Sequence, residues 1–393
     1  MSSSISSSDD RHQRSPASSG TGGGGPREAG RPAGETEASA GRPDERPDAD
    51  AAGTRARNRL RAFLRLGWGA FFAFVLLGLL DAFLFRNPAF YDLGNKNGAR
   101  GGFIGQFAHI DRAFEMQGGE NIEYAIFGDS QGIDALRPDV MAEELGVPAA
   151  RIFNFSASGG KPTDSLYLYR TYAERMPNLK RVIYVINEHQ LNNADAAEDT
   201  KFRFHATLKQ RLRALDRDHY GELLTGWALR SFGLRTEWTA LLERYRAGTW
   251  PPEEDAVFPG GIEPTRWSEP RMRTPEYAEE VADRWFRNWQ PEGVYTEAFA
   301  ELLMAWRDRG LDVVVAQIPR TPAFDAAVAG KYGRERDEYL HLVAEAAASA
   351  GASFEVITAE EAGLSAEHFR DVNHVNPDGA DAFSRFAARR WWK

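Results

Sequence analysis

The chain has 393 residues, enough for one large domain or two small ones plus tails. Its formal net charge is -9 and no basic cluster falls where the composition is that of a folded domain, which argues against nucleic acid as the main partner. It has no cysteine, so disulfides, thiolate metal sites and cysteine nucleophiles are excluded together, and its 8 histidines are scattered without a pair at metal-ligand spacing.

Residues 1 to about 54 are mostly Ser, Gly, Pro, Ala, Arg, Asp and Glu, with no Phe, Tyr or Trp and with Met1 and Ile5 as the only large apolar residues. Such a segment buries too little apolar surface to offset its conformational entropy, and it reads as a disordered tail. Residues 55–86 follow as a unit. Arg55, Arg57, Arg59, Arg61 and Arg65 precede an apolar run over 66–85 that only Asp81 interrupts. Twenty helical residues span about 30 Å, the thickness of a bilayer's hydrocarbon core. Arginines before the run, against Arg86 directly after it, put the N-terminus in the cytoplasm and the remainder outside, in a single-pass inner-membrane topology with an extracytoplasmic (periplasmic) domain. A cleaved signal peptide is disfavoured by the run's depth and length and by the lack of a small-x-small site after it. A buried core helix would better suit Asp81, but this residue lies about one turn from the end, where a side chain reaches the headgroups.

Residues 87–119 read as a juxtamembrane connector, and 120–393 as the main domain. Runs rich in β-branched and aromatic residues occur at 124–127, 152–155, 182–186, 313–318 and 354–357. Most are near-continuously apolar, as parallel strands buried on both faces are, and helical segments separate most of them. The expected fold class is α/β: a doubly wound, flavodoxin-like parallel sheet of five strands with helices on both faces. An insertion at about 191–309 separates the third and fourth strands. It reads as helical at 207–217, 237–246, 276–289 and 296–309, with a Pro- and Gly-rich loop near 250–264.

Polar clusters follow the strands. The first runs into Gly128-Asp129-Ser130-Gln131 and the second into Ser156-Ala157-Ser158-Gly159-Gly160. The third ends at Asn187-Glu188-His189, and Asp371-Val372-Asn373-His374 follows the fifth. In an open parallel sheet the carboxyl ends share one edge, where ligands bind, so the four clusters meet there. A serine hydroxyl is a weak nucleophile that needs a base within reach, and Ser130 with His374 supplies the pair. Asp371, three residues earlier, would orient the imidazole and stabilise its protonated form. The N–H groups of Ser130 and Gly159 and the Asn187 amide are candidate oxyanion donors. His189, just beyond the third strand, would line the pocket or be an ordinary loop histidine, and Arg320, at the end of the fourth, points at the same edge, where it would meet an anionic substrate or simply be solvated. Trp250 and Trp267 fall in loops and are candidates to stack on sugar rings, whereas Trp285 and Trp289, four apart, read as core.

These blocks resemble those of the SGNH (GDSL-like) hydrolases. Gly128-Asp129-Ser130 matches the first block, although Gln131 stands where the family usually has a further small residue. The stretch from Asn154 to Gly159 resembles the second block, which supplies the oxyanion glycine, and Asp371-x-x-His374 matches the last. Of the third, Gly-x-Asn-Asp, only Asn187 matches; Val185 and Glu188 replace the other two. The resemblance covers about 123 to 392 without the insertion. A transmembrane segment before the domain and Asp-x-x-His-x-Asn-Pro-x-Gly at its end resemble a membrane-anchored branch containing alginate O-acetyltransferase proteins and the lipoteichoic-acid D-alanylation protein. The resemblance implies a serine-dependent O-acyltransferase or O-acetyl esterase. Its substrate would be carbohydrate or another acyl ester, with an integral-membrane protein as possible acyl donor, and no cofactor or metal.

Other readings compete. Asp129 and Ser130 after a strand are also ordinary helix caps. Asp371, His374 and Asp378 would make a metal site only with a further ligand. Phosphoryl or sulfuryl transfer would need a phosphate-cradling loop, which is absent from the sequence. The altered third block motivates a non-catalytic alternative: an SGNH-fold scaffold in an envelope-polysaccharide assembly.

Overall fold

The computed structural model describes residues 49–92, 104–247 and 270–393. The chain divides into two compact units, Met1–Leu66 and Gly67–Lys393. In the first, the described residues are helical from Ala49, which falls inside the stretch expected to be a disordered tail; residues 1–48 of that stretch lie outside the described ones. Alanines at 49, 51 and 52 favour the helical state, and extending a formed helix costs far less than starting one. The helix continues to Leu80 and widens into a π-turn over Asp81–Phe85. Arg57–Phe85 is long and apolar enough to cross a membrane, and from Leu66 to Leu80 its side chains, among them Trp68, Phe74 and Leu79, are exposed all round.

In the second unit the described residues form one parallel five-stranded sheet in the order β2-β1-β3-β4-β5. The strands are β1 Tyr124–Phe127, β2 Ile152–Asn154, β3 Arg181–Val185, β4 Asp312–Gln317 and β5 Ser353–Val356. Ala125 pairs with Phe153 on one side and Val182 on the other, and Val182 pairs with Val313. Side chains alternate across this register. Ala125, Phe127, Val182, Tyr184, Val313 and Val315 enter one core. Ile126, Ile183, Val185, Val314 and Ala316 enter the other. Val343 and Trp306, from the helices Pro322–Ser349 and Val294–Asp308, cover the first face. Met141 and Phe383, from the helices Pro138–Leu145 and Pro377–Ala387, cover the second.

The segment read as a connector contributes more than a link. Gly105–Gln117 is a helix whose Phe107, Ile110 and Phe114 are fully buried in the first core. The insertion folds as short helices between β3 and β4; its 250–264 loop, with Trp250 and Trp267, lies outside the described residues. The chain leaves β1 towards β2 and returns past it to β3, so the strand order reverses between β1 and β3. That is where a crevice opens at the carboxyl edge of such a sheet.

Candidate active site

β1 is followed by Gly128, whose φ of 147° lies where side chains are strained. A Cβ here would meet the Val185 carbonyl oxygen at 2.6 Å, so only glycine lets the chain turn this close to β3. Asp129 then caps the helix Ser130–Ala135 by accepting from Gln131 N–H at 3.0 Å. Ser130 occupies the first helical position, and its Oγ lies 2.8 Å from His374 Nε2. The 368–376 turn presents that imidazole. The Asn373 and His374 N–H groups donate to Asp371 Oδ1 at 3.0 and 2.8 Å, closing the turn on its own carboxylate. His374 Nδ1 lies 3.0 Å from each Asp371 oxygen. Asn376 caps the following helix by accepting from Gly379 N–H at 3.0 Å, which holds the turn against the sheet.

Electrostatics fit a relay. Burial raises the Asp371 carboxyl, but the His374 charge and hydrogen bond, with Arg370, outweigh it and hold it at about 2. Burial lowers the His374 imidazole, and Asp371 more than compensates, leaving it above its ordinary value. Arg370 lies 3.3 Å from Asp371 Oδ2 and 2.9 Å from Asp134 Oδ2, tying the acid to the nucleophile's own helix. The backbone N–H groups of Ser130 and Gly159 have no hydrogen-bond partner among the described residues, and both residues are partly exposed. Gly159 adopts φ 59°.

Two assignments change. Asn187 is fully buried and spends its amide on Asp129 Oδ2 at 2.6 Å and Gln131 Oε1 at 2.9 Å. It holds the nucleophile turn from below and has no hydrogen left for an oxyanion. Arg320 does not face the edge either. It is buried in a two-pronged pair with Glu188 at 2.6 and 2.9 Å, and Asp325 takes its Nε at 2.7 Å. The glutamate that replaces the third block's aspartate therefore has a partner one strand away. Gln131, the other departure, donates to the Asn373 carbonyl at 2.7 Å and links the serine helix to the histidine turn.

His189 lines a cleft of about 270 Å³ together with Gly159, Lys161, Asp195, Asp199 and Lys201. Burial, with Lys161, Lys201 and Arg284, holds its imidazole well below the ordinary value, so it is neutral.

Sequence reasoning missed the residues that set the Gly159 turn. Lys201, buried in the insertion, donates to the carbonyls of Gly159 at 2.8 Å and Ser158 at 3.3 Å. Asp164, buried as well, lies 3.4 Å from the same ammonium and 2.6 Å from His205 Nε2. From the other side, Gln106 Oε1 accepts the Ser158 N–H at 2.6 Å. Nothing local marks Lys201 or Gln106, since each contact spans more than forty residues. Arg370 did have a signal, standing immediately before Asp371.

No family profile and no curated protein matches the chain. Solved structures do align. One, described as of the G-D-S-L lipolytic family and from Desulfitobacterium hafniense, is 10% identical with a TM-score of 0.28, covering 68% of this chain and 98% of its own. Est24, a carbohydrate acetylesterase from Sinorhizobium meliloti, is 14% identical with a TM-score of 0.29, covering 68% and 97%. At such values neither alignment bears on the site, whose chemistry rests on its own geometry.

Proposed function

We propose that the protein is a serine-dependent acyl-transfer enzyme of the SGNH type, an O-acyltransferase or O-acetyl esterase. The observation that carries this reading is the unbroken contact chain Ser130 Oγ, His374 Nε2 and Nδ1, Asp371, with links of 2.8 and 3.0 Å. In the reaction, Ser130 Oγ bonds to the acyl carbon while His374 Nε2 takes its proton. The Ser130 and Gly159 N–H groups receive the oxyanion. His374 returns the proton to the departing alkoxide, leaving an acyl-serine. It then takes a proton from the incoming hydroxyl, which attacks the acyl carbon, and gives that proton back to Ser130.

The acceptor is a carbohydrate of the cell envelope, outside the cytoplasmic membrane, with Arg57–Phe85 as a single-span anchor and the arginine-rich side in the cytoplasm. Three features support this. The helix is exposed and apolar. Arg55, Arg57, Arg59, Arg61 and Arg65 precede its apolar run at 66–85. The cleft beside Gly159 carries Asp195, Asp199, Thr200 and a neutral His189, groups that bond sugar hydroxyls. An acyl donor bound to an integral-membrane protein would reach an anchored enzyme directly. The 2.8 Å Ser130–His374 contact weighs against the scaffold alternative, for which those side chains have no reason to meet.

The full chain in detergent, given p-nitrophenyl acetate, is expected to release a burst of p-nitrophenol and then turn over slowly. Ser130→Ala and His374→Ala should each abolish both phases. Undiminished turnover in Ser130→Ala would end the assignment.

A further inference from the structure

The last turns of the apolar helix are gripped by the insertion. Asp81 is buried, and its Oδ1 accepts from the Ser231 N–H at 2.8 Å and the Ser231 hydroxyl at 3.0 Å. Arg86 donates to Asp81 Oδ2 at 3.2 Å and to the Ala228 carbonyl at 2.9 Å. The Phe85 ring lies 5.8 Å from that of Trp238, whose Nε1–H donates to the Ser231 carbonyl at 2.7 Å. Asp81 therefore does not reach for headgroups, as its place near the end of the run implied. It is a docking point.

What docks is a tight helical hairpin, Tyr220–Ala228 followed by Arg230–Gly233. Its arms touch at Gly226 and Gly233, where a Cβ on either would lie 2.7 Å from the other's Cα. The neighbours of the two gripped residues point outward. Trp227, beside Ala228, is 43% exposed, and Phe232, beside Ser231, is 40% exposed. Tyr220 and the half-exposed Leu224 lie on the same stripe as Trp227, at helical spacing, while Leu223 and Gly226 are buried. The Arg235 guanidinium sits 4.9 Å over the Phe232 ring. An apolar stripe ending in Trp, Tyr and Phe with an arginine beside it matches the chemistry of the bilayer's headgroup layer. Its position decides the occupant, because the residues it flanks hold Asp81 and Arg86, where the apolar run ends.

We propose that this hairpin lies in the headgroup layer of the same bilayer that the apolar helix crosses, with Trp227 and Phe232 inserted. The proposal rests on reading that helix as a membrane span. The domain is then attached to lipid at two points, and its height and tilt above the membrane are set.

The absence of native cysteine allows a direct test. Phe74→Cys, Trp227→Cys, Phe232→Cys and His341→Cys are made singly in the full chain and labelled with an environment-sensitive nitrobenzoxadiazole fluorophore. Each is reconstituted in phosphatidylcholine–phosphatidylglycerol vesicles carrying nitroxides either at the headgroup or deep in the acyl chain. The label at 74 should be quenched mainly by deep nitroxides. Labels at 227 and 232 should be quenched several-fold more by headgroup nitroxides than the label at 341, an exposed position on the long Pro322–Ser349 helix. Quenching at 227 and 232 no greater than at 341, with 74 still quenched, overturns the hairpin's placement and leaves the span standing. An unquenched label at 74 overturns the span, and the placement with it.

Discussion

The proton inventory of the site fixes how its rate depends on pH. His374 acts as a base only when neutral, and Asp371 stabilises its charged form, so its pKa lies above the ordinary imidazole value of about 6.5. The kcat/KM for an acetyl ester should therefore fall as pH drops through that raised value and level off above it. Asp371→Asn removes the stabilising charge. The midpoint should move to lower pH, and the plateau should fall by on the order of 10⁴-fold, as when the orienting acid of such a relay is lost. A midpoint that stays in place would show that Asp371 does not act on His374. Lys201 acts one step further out. Its ammonium, paired with Asp164, donates to the Gly159 and Ser158 carbonyls, so Lys201→Met should lower kcat by up to about 10²-fold, the scale of one lost oxyanion donor. KM should change little, because the oxyanion forms after binding. A rise in KM at constant kcat would instead make Lys201 a substrate contact.

At the scale of elements, the ends of β3 and β4 are joined by charge. Glu188 and Arg320 are both buried, and each satisfies the other in two hydrogen bonds. Arg320→Met should leave a buried carboxylate with no guanidinium and cost about 3–5 kcal/mol. Adding Glu188→Leu should recover much of it, as urea unfolding of the single and double variants would measure; equal losses in both would mean that packing, not charge, holds the strand ends. The strands themselves were legible, because continuous apolar β-branched runs mark parallel strands, and each begins within one residue of expectation. So was the meeting of Ser130, Asp371 and His374, because strands that all run parallel put the loops after β1 and β5 at one edge of the sheet. The roles of Asn187 and Arg320 were not. Sequence places a residue at a strand end, but the turn of its side chain is decided by partners such as Asp129 and Glu188, 58 and 132 residues away. The Gly105–Gln117 helix did leave a signal. Phe107, Ile110 and Phe114 have helical spacing, which marks a core helix even though the segment's place after the apolar run suits a link to the membrane.

Across the whole molecule, that helix decides where a soluble form can begin. Phe107, Ile110 and Phe114 are each at most 2% exposed, and burying side chains of this size stabilises a fold by about 1.5–3 kcal/mol apiece. Together they match a large part of the about 5–15 kcal/mol that holds a typical domain folded. The same helix carries Gln106, which fixes the Ser158 N–H beside Gly159. A chain starting at residue 120, at the first strand, should therefore aggregate or melt without cooperativity. A chain starting at residue 86 keeps this helix and the buried Tyr91, and loses the apolar helix with its contacts at the far end: Asp81 to Ser231 and Arg86, the Phe85 ring against Trp238, and the Phe85 carbonyl that accepts from the Tyr91 hydroxyl. It should stay in solution, melt in one transition and turn over p-nitrophenyl acetate at the rate of the full chain. Circular dichroism melts and esterase assays on the two truncations make the comparison. A cooperative, active 120–393 fragment would mean that the oxyanion turn is set by the insertion alone.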